Sequence, residues 1–356
     1  MSTFIWQSSD GNWDNPESWG ISSVVSGSDA ATTATDATVD LTGDAPDLSG
    51  VAAGDTLYLV DRTDGKNSGE YFEITAVDDV ADTVEVTPTP SATDSGITWV
   101  ISEALPGANS ANDVVIFPAN SNQSLVAGLD QSTQGKFTSI TVHGMFGGAI
   151  AFEGSPLIAS ATSVLYEGAA GFHYKDGGSE TDVLIVNARS MVLNTLRGKS
   201  GGAKIVELRV VGGWVKALEL ATYTVYVSEG NTPNQATIVE WDSSCSSLGL
   251  LYMNRGHFTS EIGGSAVLLA GGVFLAAATS TGSIGYIVMT GGYLIHNSDK
   301  TVSAVVVLGG LLDFSQDERS KTISILRVWP GAVAIIPDWV TVTSGGALFD
   351  ELVLGG

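Results

Sequence analysis

Residues 265–310 read SAVLLAGGVFLAAATSTG (265–282), SIGYIVMTGGYLIHNSDK (283–300) and TVSAVVVLGG (301–310). Each unit contains a short apolar run, a pair of glycines, and, in the two complete units, a second apolar run and a turn of polar or small residues. The pairs Gly271-Gly272, Gly291-Gly292 and Gly309-Gly310 lie 20 and then 18 residues apart. A repeat of this length, built from strands and turns, predicts one coil of a stacked β-solenoid.

The same organisation extends from about residue 120 to the end of the chain. About ten coils, at about 4.8 Å per stacked strand, give a rod on the order of 50 Å long. In KIVELRVV (204–211), Val206, Leu208 and Val210 are expected to point into the tube, with Glu207 and Arg209 outside. The expected corner positions are Gly144, Gly168, Ser190, Gly213, Asn234, Gly256, Gly272, Gly292, Gly310, Gly331 and Gly346.

The segment 21–103 has a different pattern and predicts an inserted domain. After a lead rich in Thr, Ala and Asp come short strand-like runs, of which TLYLVD (56–61), TVEVTP (83–88) and ITWVI (97–101) are examples. The turns between the runs are Asp64-Gly65, Asn67-Ser68-Gly69 and Asp78-Asp79. Four or five strands in about fifty residues favour a small antiparallel barrel or sandwich.

The composition agrees with an all-β fold and limits the possible functions. The chain has 43 glycines and only 15% charged residues, which favours strands and tight turns. Residues 1–119 hold 20 acidic and two basic residues (Arg62 and Lys66), a net charge of −18, whereas residues 120–356 hold 19 and 13, a net charge of −6. Nothing in the first third neutralises phosphates, so nucleic acid is not an expected partner.

Cysteine content and hydropathy indicate a protein made in a cytoplasm. A single cysteine, Cys245, excludes an intramolecular disulfide and cysteine-based zinc sites, and a buried thiol is its expected role. The N-terminus has no basic region followed by an apolar core, as a secretory signal has. The longest apolar run, 266–278, is too short to span a membrane and is interrupted by glycines, so no membrane partner is expected.

Residues 1–20 contain Trp6, Trp13 and Trp19 among turn residues, and the segment LPGANSANDVVIFP (105–118) reads as their continuation. Together the two segments resemble the tryptophan-rich opening that leads into the first coil of large β-helical surface proteins. The prediction is therefore three regions: a segment 1–20 that joins the start of the solenoid, an inserted acidic β-domain at 21–103, and a β-helix at 104–356.

The inserted segment is similar in style to small β-barrel modules of phage head and tail proteins. It shares their order of a Gly-Asp turn and strand, a G-x-Y-x-I strand, an Asp-rich turn, a V-x-V strand and W-V-I. The resemblance implies a bacteriophage virion structural protein of the β-helical type.

Metal and general-base chemistry have weak signals in the sequence. The four histidines, His143, His173, His257 and His296, show no metal-binding spacing, and turn or corner positions are expected for His143 and His257. Asp10, Asn12 and Asp14 resemble the opening of a calcium loop, but the later Gly and Glu of such a loop are missing, and Asx-turns explain the same residues. No metal site and no cofactor are predicted.

An acid–base pair of carboxylates is the remaining candidate for catalysis, since β-helices host polysaccharide lyases and hydrolases. The best local cluster lies in LLDFSQDERSKT (311–322), which reads as an exposed loop between coils; it contains Asp313, Asp317, Glu318, Arg319 and Lys321. The aromatic residues that could line a groove are spread out and fit packing roles: Trp214, Tyr223, Tyr226, Trp241 and Tyr252. The prediction is a non-enzymatic protein with no catalytic residues.

Several late strands are apolar on both faces, so they predict a partner. AVLLA, YIVM and AVVVL need a second covering surface for Val267, Leu269, Ile287, Val305 and Val307 together with their alternates. The segment FDELVLGG (349–356) shows no polar cap for the last coil. β-Helical virion proteins are commonly threefold, which makes a homotrimer the expected state.

The resulting hypothesis is an outer-capsid decoration or cement protein. It would be synthesised in the host cytoplasm, bind the major capsid protein and stabilise the head through oligomeric contacts. The alternative is a tail-fibre or tailspike component that binds a host surface carbohydrate. A bacterial surface adhesin is a third hypothesis, which requires an upstream secretion sequence.

Overall fold

The computed structural model describes residues 3–7, 10–15, 18–19, 23–61, 70–102, 113–198, 204–228, 236–344 and 352–353. These residues form a closed antiparallel barrel and a parallel β-solenoid of about nine turns, with no α-helix among them. The predicted all-β class, the solenoid and the small barrel are confirmed. The solenoid has about one turn fewer than the ten expected.

The strands are numbered in chain order. The N-terminal strand and the barrel comprise β1 (Thr3–Ile5), β2 (Ser23–Thr32), β3 (Thr38–Asp40), β4 (Thr56–Asp61), β5 (Glu70–Asp78), β6 (Thr83–Thr87) and β7 (Asp94–Ser102). The first half of the solenoid comprises β8 (Val114–Phe117), β9 (Phe137–Val142), β10 (Leu157–Ala159), β11 (Ala161–Tyr166), β12 (His173–Asp176), β13 (Thr181–Asn187), β14 (Leu193–Arg197), β15 (Ile205–Leu218), β16 (Ala221–Val227), β17 (Thr237–Trp241) and β18 (Ser247–Met253). The second half comprises β19 (His257–Ser260), β20 (Gly264–Leu269), β21 (Val273–Ala276), β22 (Ile284–Met289), β23 (Tyr293–His296), β24 (Val302–Val307), β25 (Leu311–Asp313), β26 (Lys321–Val328), β27 (Val333–Ile335), β28 (Val340–Ser344) and β29 (Leu352–Val353).

The barrel closes in the order β2-β3-β6-β5-β4-β7 and has a hydrophobic core separate from that of the solenoid. Two of its six strands, β2 and β3, come from the Thr/Ala/Asp-rich lead, in which the sequence predicts no strands. Their sequences carry few large apolar residues, and a polar contact with Asp44 helps to hold β2. One oxygen of Asp44 accepts hydrogen bonds from the backbone N–H groups of Ser28 and Asp29 (2.8 and 2.7 Å) and from the Trp99 indole (2.8 Å).

The barrel lies between two chain segments that pair with each other. Ser23 at the start of β2 is paired with Ser102 at the end of β7, so the two ends of the barrel are adjacent. Strand β1 pairs in parallel with β8, with Thr3 opposite Val114. The predicted domain limits at 20/21 and 103/104 stay predictions, because residues 20–22 and 103–112 lie outside the described residues.

The three N-terminal tryptophans pack inside the first turns of the solenoid. The ring centroids of Trp6 and Trp19 are 5.0 Å apart, and those of Trp13 and Trp19 are 4.8 Å apart. Trp6 also contacts Phe117 (5.3 Å), and Trp13 contacts Phe137 (5.9 Å). This cluster fills the end of the tube with aromatic side chains, each of which buries a large apolar area.

Each later coil consists of a six-residue strand, a glycine corner, a shorter strand and a loop, as β20, Gly271-Gly272, β21 and residues 277–283 illustrate. Successive coils are in parallel register, so like positions stack. In the interior, Trp241, Phe258 and Phe274 form a ladder with centroid separations of 6.1 and 5.9 Å. Period-2 alternation along each strand then places every second side chain outside.

The two glycines of a corner meet two different requirements. Gly292 has φ +78°, a conformation that side chains rarely adopt. A Cβ on Gly291 would lie 2.4 Å from the carbonyl oxygen of Ala270 in the preceding coil. A Cβ on Gly292 would also lie 2.8 Å from the Gly272 carbonyl oxygen, so both glycines allow a close approach between coils and Gly292 in addition has the left-handed conformation.

Two details of the predicted alternation are corrected. In the segment 204–211, Leu208 and Val210 are buried and Glu207 and Arg209 lie outside as expected, but Ile205 rather than Val206 takes the third interior position. Five residues were expected to need a partner but are buried inside the solenoid itself: Val267, Leu269, Ile287, Val305 and Val307. Only the residues that alternate with them along the strands face outwards.

Several predicted features lie outside the described residues. They are the corners Asn234 and Gly346, the turns Asp64-Gly65 and Asn67-Ser68-Gly69, the bases Arg62 and Lys66, and all of FDELVLGG except Leu352 and Val353.

Candidate interaction surface

The C-terminal half of the solenoid has three kinds of side. Strand face 1 is the outward side of β18, β20, β22, β24 and β26, and strand face 2 is the outward side of β19, β21, β23, β25 and β27. The corner edge between the two faces consists of the segments 254–256, 270–272, 290–292, 308–310 and 329–331, each of which ends in a glycine. The loop side, which closes each coil, consists of residues 277–283, 297–301, 314–320 and 336–339.

Strand face 1 is apolar and has two columns of stacked side chains. One column alternates in size, because the register places Leu250, Ala266, Tyr286, Ala304 and Ile325 in line. The large members project: Tyr286 is 62% and Ile325 is 39% exposed. The second column contains Tyr252, Leu268, Val288, Val306 and Arg327.

Strand face 2 is also mainly apolar; its polar groups are His257 and Thr259 on β19, the Tyr293 hydroxyl on β23 and the Asp313 carboxylate on β25. Its columns continue from His257 and Thr259 on β19, and they contain Val273, Tyr293, Leu311 and Val333 in one line and Leu275, Ile295, Asp313 and Ile335 in the other. The Asp313 carboxylate accepts hydrogen bonds from the Tyr293 hydroxyl (2.8 Å), the Gln316 amide (2.9 Å) and both the backbone N–H and the hydroxyl of Ser315 (2.7 and 2.6 Å). Burial acts to raise the pKa of Asp313, but these hydrogen bonds outweigh it and leave the pKa lowered.

The corner edge adds exposed apolar side chains between the two faces. Leu308 is 43% exposed and Trp329 is 39% exposed, in successive coils. The glycines beside them contribute no side chains. Large exposed apolar residues that form a continuous patch typically mark an interaction site.

The loop side carries the charged cluster 313–321 that is the best local candidate for catalysis in the sequence. Arg319 connects three successive loops there. Its Nη2 donates to the carbonyl oxygens of Ala278 (3.0 Å) and Asn297 (2.6 Å) and to Asp317 Oδ2 (2.5 Å), and its Nη1 lies 3.8 Å from Asp299. The guanidinium thus joins loops that are about 20 residues apart in sequence.

The cluster does not have the arrangement of an acid–base pair. The hydrogen bond from Arg319 lowers the pKa of Asp317 to about 2, whereas a general acid needs a pKa near the working pH. Lys321 is buried, and its amine donates to the carbonyl oxygens of Asp317 and Arg319. Asp313 belongs to strand face 2, and its carboxylate is satisfied there. These contacts are structural.

Of the five aromatic residues considered as a groove lining, two stack on each other, whereas Trp241 is buried and Tyr223 is 54% exposed beneath the Lys204 amine. Tyr226 and Tyr252 stack at 5.0 Å with nearly parallel rings, and the Arg209 guanidinium lies 5.5 Å above Tyr226. Leu268 is the next residue in the Tyr252 column. Because the rings stack along the solenoid axis, their faces are covered by these neighbours and present only edges to a sugar.

A shallow cavity of about 460 Å³ lies where β17 precedes face 2, and it is lined by residues of β17 and β19 that include Ile238, Glu240, His257 and Thr259. Glu240 accepts a hydrogen bond from the Trp214 indole (3.1 Å), and His257 contacts the Thr259 hydroxyl (3.2 Å). Glu240 is the one carboxylate among the lining residues, so the cavity lacks the second acid that glycoside cleavage uses.

The structure separates the four histidines. His143 lies at a turn as expected, and His257 lies at the start of β19 rather than at a corner. His173 contacts the Thr195 hydroxyl (2.8 Å), and burial lowers its pKa. His296 is buried in the interior and stacks on Phe314 at 4.9 Å.

The N-terminal Asp10, Asn12 and Asp14 form Asx-turns. Asp10 accepts hydrogen bonds from the Asn12 backbone, Ser18 and Asn15, and Asn12 accepts one from the Asp14 backbone. Asp14 also accepts a hydrogen bond from Gln131 (3.0 Å). These contacts use the oxygens that a calcium ion would need.

Elsewhere, Cys245 is a buried thiol whose pKa burial raises to about 12. In the part of the chain that the structure describes, no group of three His, Cys, Asp or Glu side chains is placed to hold a metal ion. The described residues also include no helix of the length and hydropathy needed to cross a membrane.

No protein-family model, curated protein or solved structure matches this chain. The fold and the surface chemistry are therefore the basis for a functional proposal.

Proposed function

We propose that the chain is a non-enzymatic structural protein of a bacteriophage virion, placed on the outside of the capsid as a decoration or cement protein. The observation that carries the proposal is the pair of apolar strand faces on adjacent sides of one solenoid. A chain that presents such faces gains stability by burying them against other chains.

The distribution of charge supports a position on the outer surface of the head. The described barrel residues, 23–61 and 70–102, contain no Lys or Arg and 14 acids: Asp29, Asp36, Asp40, Asp44, Asp47, Asp55, Asp61, Glu70, Glu73, Asp78, Asp79, Asp82, Glu85 and Asp94. Packaged DNA repels such a surface, whereas solvent hydrates it well. The resemblance of the barrel segment to phage head and tail modules points the same way.

In the proposed mechanism, a homotrimer contacts neighbouring copies of the major capsid protein. Binding that occurs only to the assembled head stabilises the head by mass action. No chemical step is involved, and the solenoid serves as a rigid support for the contacts.

The decisive experiment is the copy number of this chain in purified virions, measured by quantitative mass spectrometry together with antibody labelling in electron micrographs. A decoration protein is present in many copies distributed over the head. A few copies at the tail, with binding of the purified protein to a host glycan, would replace the proposal by the fibre alternative. Absence from virions would reject both.

A further inference from the structure

We infer that strand face 1 of one copy of this chain packs against strand face 2 of a second copy, so that the copies close into a ring with their corner edges near its axis. The inference deepens the proposed function. The number of copies in the ring, three, rests on the proposed homotrimer. The inference assigns the surface through which the copies bind one another.

The charge distribution selects a second copy as the partner of these faces. With a formal charge of −24, two copies repel each other wherever acidic surfaces meet. Strand face 1 has no acidic residue, and its charged member is Arg327. Strand face 2 has one, Asp313, whose carboxylate is only 2% exposed and is hydrogen-bonded within its own chain. The two faces are therefore sides on which copies approach without repulsion between acids.

The corner edge and the loop side favour the same orientation. In three successive coils the glycine pairs 271–272, 291–292 and 309–310 leave two of the three corner positions without side chains, and Leu308 and Trp329 add apolar contacts. Most charged residues lie on the opposite, loop side, where Asp299, Glu318 and Arg319 are exposed; Arg327 on face 1 and Arg255 at the corner between β18 and β19 are exceptions, and both are basic.

Two different faces on one chain favour a head-to-tail contact over a twofold one. A twofold contact uses the same patch on both partners, so it would cover face 1 and leave face 2 open. A head-to-tail contact covers both faces of every copy, and it closes with three or more copies. On face 1 the small Ala266 and Ala304 alternate with Tyr286 and Ile325, which leaves recesses for the side chains of a different surface.

The available area favours a closed ring over a single pair of copies. Over five strands about 4.8 Å apart, with about 3.3 Å per residue, face 1 measures roughly 24 by 20 Å and face 2 roughly 24 by 13 Å. One contact thus offers roughly 800 Å² of flat area summed over its two partners, about half of a standard interface, whereas in a closed ring each copy buries roughly 800 Å² by itself over its two contacts.

Cysteine cross-linking of the full-length chain distinguishes the possible contacts. Tyr286→Cys places a thiol on face 1 and Leu311→Cys places one on face 2, while the native Cys245 is buried and stays in both variants. The two variants, carrying tags of different mass, are co-expressed and oxidised. We expect disulfide-linked pairs that contain one of each variant, and neither variant cross-linked when expressed alone. Efficient cross-linking of Tyr286→Cys alone, or no mixed pairs, would overturn the inference.

Sedimentation of the unmodified chain provides the second measurement. We expect an oligomer whose dissociation constant rises at least about tenfold in Trp329→Glu and in Leu308→Asp, because each change puts a charge at the buried corner edge. Glu318→Gln on the loop side is the matched control and should leave the dissociation constant of the oligomer unchanged. Circular dichroism checks that each variant is folded.

The outcomes separate the inference from the proposed function. A monomeric chain that is nevertheless abundant on virion heads would reject the ring and keep the decoration role. A ring that never associates with virions would reject the decoration role and keep the ring.

Discussion

At the corners of the solenoid, single glycines serve distinguishable purposes. Gly292 combines φ +78° with a site where a Cβ would lie 2.8 Å from the Gly272 carbonyl oxygen. Gly331 has φ +85°, but nothing lies within 4 Å of its Cβ position. The two glycines therefore share the backbone conformation and differ in the close approach.

Alanine substitutions at these two positions should separate the two effects. Gly331→Ala is expected to lower the free energy of unfolding by about 1–2 kcal/mol, the cost of a left-handed alanine. Gly292→Ala should lower it further, because its methyl group also meets the preceding coil. Urea-induced unfolding measures both. Equal losses would show that the close approach between coils contributes nothing.

His296 is a buried base whose ring stacks on Phe314 in the interior, with the charged groups Lys321 and Asp317 nearby. Burial, reinforced by Lys321, lowers its pKa from 6.5 to about 4. The folded state therefore holds the neutral form, while the unfolded chain takes up a proton below about pH 6.5.

This difference predicts that stability falls on acidification. The contribution is fully present above about pH 6.5 and declines through pH 4, with a total loss of about 3 kcal/mol. His296→Phe keeps a ring on Phe314 and should reduce the loss, whereas His257→Gln on strand face 2 should not. Urea unfolding at a series of pH values tests this, and a pH profile unchanged by His296→Phe would contradict it.

At the scale of the elements, the loops of the solenoid are connected by side chains that the strands do not predict. Arg319 joins the loops that contain Ala278 and Asn297 to its own. The planar guanidinium donates in several directions at once, which a lysine amine cannot reproduce with the same geometry.

Arg319→Ala should therefore destabilise the C-terminal coils measurably, because the contacts that join three loops are lost. Arg319→Lys should recover only part of the loss. Lys300→Ala is the control, since Lys300 forms only an exposed pair with Asp299 (3.2 Å) and should change stability by less than about 0.5 kcal/mol. Thermal unfolding compares the three. Full recovery by lysine would mean that charge alone matters at this site.

Prediction of individual elements succeeded where the pattern was local. The six-residue strands of the repeat show period 2, which places Leu208 and Val210 inside. Strands β2 and β3 were missed, because a segment such as SVVSGSDAAT carries too little apolar alternation and depends on Asp44 and Trp99 from elsewhere in the barrel.

At the scale of the whole molecule, the barrel and the solenoid have separate cores. The barrel core consists of Ala30, Val39, Leu41, Leu48, Leu57, Leu59, Phe72, Ile74, Val84, Val86, Ile97, Trp99 and Ile101. The barrel is closed, so it has no open sheet edge, and Ser23 pairs with Ser102 at its ends.

A fragment of residues 23–102 should therefore fold on its own. We expect a β-type circular dichroism spectrum and a cooperative thermal transition, as for other closed small barrels. A fragment of residues 23–87 lacks β7, which pairs with both β2 and β4, and should remain unfolded. A fragment 23–102 without a cooperative transition would show that the barrel depends on the solenoid.

The sequence alone determined the coil repeat, the left-handed glycine corners from Gly213 to Gly331 and the all-β class, because a glycine requirement and a period of two are properties of a few neighbouring residues. The tertiary structure decided which apolar side of each strand lies inside. It also decided that the Asp313 carboxylate accepts hydrogen bonds from its neighbours and that Arg319 connects three loops. These features depend on residues about 20 positions apart, which become neighbours only when the coils stack. The two apolar faces on adjacent sides of the solenoid arise from the same stacking.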